Sequence, residues 1–278
     1  MKRGLNKITK IVIFVIMFLI AMTSIYFLFF MIINSFKTQT DYILSPLALP
    51  KEINFSNYET MYKSYNVIKL FANSLIIVSS AIFIEILLCS LAAYAFAKTK
   101  FKGKNLIFLF FISMLIIPTQ VLMLPLYMMF AKINLINTRI SLIIIYFAVS
   151  IPFALYFLTT NFRKIPDEIM ESARIDGASY FRIYWSIILP IGKPALITLF
   201  ILDYVWIWNE LVLGLIFLQS EEIKTMTVAA ATILGNRYSF NQPLLLTGLF
   251  LSCLPILILY SFAARFIMKG TTAGAVKG

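Results

Sequence analysis

Residues Glu171 to Pro190 read ESARIDGASYFRIYWSIILP, a charged, glycine-broken segment set between two long apolar stretches. Glu-Ser-Ala is followed by three residues, Gly177, nine more residues and Ile-x-Leu-Pro. Just upstream, Pro166-Asp167-Glu168 suits a helix start, because proline fits the first turn and carboxylates fit the positive end of the helix dipole. The helix is predicted to run to about Asp176. Gly177 can take the left-handed conformation that ends it, and Ala178-Ser179 then start an amphipathic run closed by Leu189-Pro190. Glu171, Arg174 and Asp176 place charged groups on or near the exposed side. As charges alone they describe a solvated linker held by local ion pairs; the whole pattern reads as a docking element.

The flanking sequence decides the solvent. With 61% hydrophobic and 13% charged residues, the chain cannot surround a buried core with a polar shell, and its mean hydropathy is +0.90. Apolar runs near the roughly 20 residues needed to cross about 30 Å of hydrocarbon recur six times. They lie at about 11–33, 70–96, 106–130, 139–160, 194–219 and 243–267. Continuous runs exclude a barrel, whose strands alternate. The expectation is an all-α, polytopic membrane protein of six transmembrane helices in one domain, 1–278. Met1-Lys2-Arg3 resembles a signal peptide's start, but the apolar run after it is long and no small-residue cleavage site clearly follows, so it reads as a retained signal anchor.

The net charge of +12 follows topology. With the first residues inside, inward segments carry sixteen cations: Lys2, Arg3, Lys7, Lys10, Lys98, Lys100, Lys102, Lys104, Arg163, Lys164, Arg174, Arg182, Lys193, Arg265, Lys269 and Lys277. Outward segments carry seven, Lys37, Lys51, Lys63, Lys132, Arg139, Lys224 and Arg237, with Lys69 at a helix start. This asymmetry predicts both termini in the cytoplasm and explains the basic balance without a nucleic-acid partner. The longest outer loop is 34–68, the main cytoplasmic loop 161–193 and the cytoplasmic tail 268–278. Pro118, Pro125, Pro152 and Pro255 interrupt spans, which either shapes packing or permits a gated cavity.

Cys89 and Cys253 both fall in apolar runs and histidine is absent, so no disulfide framework, histidine metal site or histidine catalysis is available. In the fifth run Asp203, Trp206 and Glu210 share a helical face, beside Asn209. Ionisable residues within a span usually face a bundle interior or an aqueous cavity. An aromatic plate beside hydrogen-bonding groups also suits a sugar, so Asp203, Trp206, Asn209 and Glu210 are substrate-path candidates, with Asn73 and Gln120 as further polar intrusions. The competing reading is an inter-helix hydrogen-bond cluster, and for Glu85 a structural pairing role.

The segment Glu171–Pro190 resembles the signature loop of permease subunits of ATP-driven (ABC) importers, with Ser172 where alanine is usual. Ile117-Pro118-Thr119-Gln120 before Pro125-Leu126-Tyr127, and Trp208-Asn209-Glu210, resemble the carbohydrate branch, in particular the second permease subunit of maltose-type systems. The tail Lys269-Gly270-Thr271-Thr272-Ala273-Gly274-Ala275-Val276-Lys277-Gly278, by itself a flexible end, resembles the tail of those permeases. The resemblance implies a type I importer permease fold and no catalytic residue. It implies an ATPase-coupling helix carrying Glu171, Ser172, Ala173, Arg174, Asp176 and Gly177, with Leu189 and Pro190 closing the motif. It implies tail contacts to the ATPase at Thr271, Gly274, Lys277 and Gly278. The implied partners are a second permease, an ABC ATPase dimer, an extracytoplasmic solute-binding protein and a sugar, in a bacterial-type cytoplasmic membrane. No GxxxxGK[ST] phosphate loop occurs, so ATP and Mg are expected in the partner subunits and this chain is expected to bind no cofactor or metal.

Three alternatives stay open at this point. An importer permease for a non-sugar solute shares the coupling segment. A secondary transporter would use Glu85, Asp203 or Glu210 as ion carriers. An intramembrane enzyme would rest on Asp203 and Glu210 alone.

Overall fold

Pro118 breaks the third apolar run. The computed structural model, which describes residues 7–235 and 241–275, gives thirteen α-helices and no strand among them. In chain order the first seven are α1 Lys7–Ser35, α2 Gln39–Leu44, α3 Ser56–Lys63, α4 Val67–Lys98, α5 Lys104–Ser113, α6 Thr119–Lys132 and α7 Arg139–Phe162. The rest are α8 Asp167–Ile175, α9 Tyr180–Ile183, α10 Leu189–Asn209, α11 Val212–Phe217, α12 Met226–Gly235 and α13 Gln242–Ala275. Five stretches among these elements are long and apolar enough to cross a membrane, Ile8–Ser35, Val67–Lys98, Arg139–Phe162, Tyr180–Asn209 and Gln242–Phe262. A sixth arises if Lys104–Ile116 and Thr119–Lys132, bent by 101°, form one broken span. The bend falls where Ile117 turns extended (φ −83°, ψ 116°) ahead of Pro118, as the residue before a proline is pushed to do.

The fifth span also departs from expectation, beginning at Tyr180 within the 161–193 segment. Pro190 has no N–H to donate, and one turn of wide π-helix over Tyr184–Ile188 absorbs the irregularity while the helix continues through it. At the other end of the chain α13 runs on to Ala275, so the expected tail carries helix through Thr271 and Gly274. Lys277 and Gly278, like the Met1-Lys2-Arg3 start, lie outside the described residues.

By contacts the chain falls into two units, with boundaries inside α4, α12 and α13. The first combines residues 1–68 and 229–254. Its α1 is exposed for most of its length, a surface suited to hydrocarbon, and its polar centre is the end of that helix. Asn57 Nδ2 donates to the Ser35 and Lys37 carbonyls at 2.9 and 2.8 Å, and Ser35 Oγ meets Tyr58 OH at 2.7 Å. Lys37, just beyond the span, is buried and donates Nζ to the Ser45 carbonyl at 2.8 Å; burial pulls its ammonium below the ordinary lysine value.

The second unit spans 69–228 and 255–278 and is built on α4, α7 and α10. Buried residues recur along α4 at 78, 82, 85, 89, 93 and 96, the spacing of one helical face. One apolar cluster joins Ile77, Ile82, Leu142, Tyr146, Ile207 and Trp208 to α6 and α11. Another joins Ala93, Leu158, Phe162 and Leu199 to α8, α9 and the π-turn. Lipid tails are as apolar as these side chains, so close approach and inter-helix hydrogen bonds do most of the holding. Gly192 shows the closeness: a Cβ there would lie 2.6 Å from Phe162 Cε1.

Candidate functional site

The segment singled out in the sequence folds as a helix, a glycine turn and a second helix that becomes a span. Asp167 and Glu168 occupy the first turn of α8. At its end the Gly177 N–H donates to the Arg174 carbonyl at 3.0 Å and the Ala178 N–H to the Ala173 carbonyl at 2.9 Å, the paired bonds of a Schellman cap. Gly177 has φ +81°, and no atom lies within 4 Å of where its Cβ would be, so backbone conformation and not space demands glycine there. Ser179 then caps the next helix, accepting at Oγ from the Arg182 N–H at 3.3 Å.

Three contacts hold this segment onto the α4 and α7 framework. Lys98 Nζ, at the end of α4, donates to Asp167 Oδ1 at 2.7 Å and to the Ile165 carbonyl, with its side chain only 3% exposed. That hydrogen bond, reinforced by the lysine's charge, lowers the Asp167 carboxyl below the ordinary aspartate value. Ser90 Oγ meets Tyr184 OH at 2.7 Å, and Met170, Ile183 and Tyr184 are buried in the second cluster.

The opposite side is exposed. Glu171, Ser172, Arg174, Asp176 and Gly177 are exposed, Ala173 is half-buried, and the Arg174 guanidinium lies over the Tyr180 ring at 4.2 Å. Ile175 is 87% exposed, and Tyr180, Phe181 and Trp185 are exposed beside it. Leu189 is half-buried and Pro190 exposed at the start of α10. A rigidly mounted projection with mixed apolar and charged surface can dock a partner and pass force to α10, since α9, the π-turn and α10 are continuous.

The intramembrane candidates divide. Glu85 of α4 and Asp203 of α10, 0% and 5% exposed, face each other between the two apolar clusters. Apart from the contact of these two carboxyls with each other, no hydrogen-bond partner among the described residues reaches either Glu85 oxygen, Asp203 Oδ2 or the Ser150 hydroxyl. Asp203, Ser150 and Trp206, with Val149, Phe153 and Leu202, line a cavity of about 320 Å³. Trp206 meets Tyr146 edge-on, with ring centroids 6.2 Å apart.

Glu210 faces elsewhere. It accepts from the Leu213 and Gly214 N–H groups at 3.0 and 3.2 Å and from Tyr146 OH at 2.9 Å, capping α11. Asn209 is exposed and donates back to the Val205 carbonyl of its own helix at 2.8 Å. Asn73 is buried, donating to the Glu222 and Lys224 carbonyls and accepting from Arg139 Nε, which staples the loop before α12 to α4. Gln120 is exposed in the first turn of α6. Sequence reasoning missed Ser150, Lys98, Ser90 and Tyr184; Lys98 alone left a trace, as a lysine closing an apolar run.

The described residues therefore form an all-helical chain with several membrane-length helices and an exposed helical projection mounted on them. The chain belongs to the family of binding-protein-dependent transport system inner membrane components, whose model matches residues 85–270. A putative ABC transporter permease of Caldicellulosiruptor sp. (strain Rt8B.4) is 37% identical over 90% of each chain. The probable starch degradation products transport system permease AmyC of Thermoanaerobacterium thermosulfurigenes is 34% identical over 90% of each. The melibiose/raffinose/stachyose import permease MelC of Bacillus subtilis (strain 168) is 32% identical, again over 90% of each. Among solved structures, a bacterial ABC transporter that imports the acidic polysaccharide alginate matches with a TM-score of 0.80 at 20% identity, covering 95% of this chain and 98% of that one. This likeness gives the type I permease fold.

Proposed function

We propose that this chain is one of two permease subunits of an ATP-driven, binding-protein-dependent importer of sugars or oligosaccharides in a bacterial cytoplasmic membrane, with both termini cytoplasmic. The observation that carries the reading is the geometry of residues 167–190: an exposed helix ended by Gly177, fixed at its base by Lys98 and Asp167, and continuous with a span. The sugar class rests on relatives whose names refer to starch products, melibiose, raffinose and stachyose.

In this reading α8 seats in a cleft of a separate ATPase subunit through Glu171, Ser172, Ala173, Arg174, Asp176 and Gly177. Hydrolysis of ATP with Mg belongs to the ATPase dimer, and an external binding protein delivers the solute. Closure of the ATPases moves α8, and the α9–α10 helix carries that motion into the membrane. Both faces of the cycle are pre-existing states whose populations ATP shifts. Leu189 and Pro190 lie where the irregular π-turn meets α10. Asp203, Trp206 and Ser150 form the polar lining that the solute passes, while Glu210 and Asn73 hold the framework.

The test is affinity purification of this chain from its native membrane in mild detergent, with identification of co-purifying proteins and an ATPase assay. An ATPase and a second permease are expected, with activity stimulated by a loaded binding protein. Recovery of the chain alone, with solute uptake that survives ATP depletion and collapses with an ionophore, would contradict the reading.

A further inference from the structure

The turn joining α4 to α5 reads Lys98-Thr99-Lys100-Phe101-Lys102-Gly103-Lys104, four lysines in seven residues. Lys98 is tied to Asp167 and Ile165, and Lys104 donates Nζ to the Thr99 carbonyl at 2.8 Å, while Lys100 and Lys102 project into solvent. Lys100, Phe101, Gly103, Lys104, Asn105 and Leu106 line an open recess of about 330 Å³ that has no carboxylate in its wall. Lys104 lies in the field of Arg163, Lys100 and Lys98, and the acid in that field, Asp167, already pairs with Lys98. With one acid among these cations, the recess keeps a net positive charge.

Lys104 begins the helical pair that is apolar enough to enter a membrane, and directly below it Leu106, Ile107, Leu109 and Phe110 are exposed. Positive charge at the mouth and bare hydrocarbon surface beneath, at the level where a span starts, match the two halves of one molecule. We propose that this recess binds an anionic phospholipid, its headgroup phosphate between Lys100 and Lys104 and an acyl chain along the exposed face of α5. A free phosphate meets the lysines but leaves the apolar face uncovered. The site adjoins the Lys98–Asp167 contact, so an anionic headgroup there offsets repulsion among Lys98, Lys100, Lys104 and Arg163 and steadies the base of α8. The inference is independent of the solute transported.

The test uses the full chain in mild detergent, with fluorescently labelled phosphatidylglycerol and phosphatidylcholine as probes. Wild type is expected to retain phosphatidylglycerol preferentially, in a salt-sensitive way. Lys100→Gln with Lys104→Gln is expected to weaken that binding by roughly tenfold, at the scale of one surface cation per factor of a few. The control pair Lys51→Gln and Lys132→Gln leaves it unchanged. Lys100→Arg with Lys104→Arg keeps both charges and is expected to keep the preference, which tests the idea even if the glutamine variant fails to insert. Equal retention of the two lipids by wild type, or an unchanged preference in the glutamine variant, overturns the proposal. So does displacement by inorganic phosphate as effective as displacement by unlabelled lipid.

Discussion

Lys98 and Asp167 form the base on which the projecting segment stands. The lysine's Nζ lies 2.7 Å from Asp167 Oδ1 and also takes the Ile165 carbonyl, while its side chain is 3% exposed against 71% for the aspartate. The burial is one-sided, so the two ends are unequal. Removing the lysine takes a charged donor from the part-buried Ile165 carbonyl, while the exposed carboxylate is left to water; removing the aspartate leaves the lysine its carbonyl partner.

Lys98→Met is therefore expected to loosen α8, with faster proteolysis at Arg174 and a severalfold loss of solute-stimulated ATPase activity in the assembled transporter. Asp167→Asn is expected to cost much less, since its side chain is solvent-screened. Limited trypsinolysis of the two variants side by side checks the order; equal sensitivity would contradict it.

The same pair sets an acid limit. Hydrogen bonding to Lys98 lowers the Asp167 carboxyl below its unfolded value, so its contribution is present above about pH 4, the ordinary aspartate range, and fades as pH falls through the lower folded value. Proteolytic protection of α8 is expected to weaken only below that range in wild type. Asp167→Asn should remove that part of the pH dependence, leaving a flatter profile from pH 5 downward.

Gly177 is needed for its positive φ alone. Placing an L-residue in that conformation costs roughly 1–2 kcal/mol, less for Asn. Because no neighbour crowds the position, variants are expected to insert normally and to differ only in coupling, in the order Gly, then Asn, then Ala, then Val. Expression level and uptake measured together separate the two effects; loss of insertion in Gly177→Ala would go against the geometry.

Gly192 faces the opposite constraint, space. Gly192→Ala would press on the Phe162 ring and is expected to destabilise the α7–α10 contact by roughly 1–3 kcal/mol. Phe162→Leu in the same chain should restore part of the lost thermal midpoint in detergent. An additive loss in the double variant would show that the clash is not the cause.

The intramembrane residues should separate by phenotype. Trp206→Ala and Ser150→Ala line the cavity with Asp203, and each is expected to raise the solute concentration for half-maximal uptake by about threefold to tenfold, the scale of one lost contact. Glu210→Ala removes a cap and a tyrosine's partner, so it should lower thermal stability by about 1–2 kcal/mol and leave apparent solute affinity unchanged. Uptake kinetics and melting curves on all three variants decide it.

The helix start at Pro166-Asp167, its end near Asp176 and the left-handed Gly177 were legible in sequence because each depends on local backbone chemistry. The bend after Ile117 was half-legible: Pro118 announces a break, but its 101° angle depends on what α5 and α6 pack against. The fifth span begins earlier than hydropathy suggests, because a π-turn lets the helix run through Pro190, and no periodicity signals that. Asp203, Trp206 and Glu210 share a helical stripe, yet an α11 that begins immediately after α10 turns Glu210 toward Tyr146. Lys98, Ser90 and Ser150 draw their roles from partners distant in sequence, which one chain read alone does not reveal.

Coupling of α8 to an ATPase is probed by solute uptake through a well-expressed Glu171→Lys, Gly177→Asp double variant. Labelled oligosaccharide uptake in cells carrying the complete transporter should fall to background while the variant still reaches the membrane at the wild-type level. Wild-type uptake by the double variant would rule out α8 as the coupling helix.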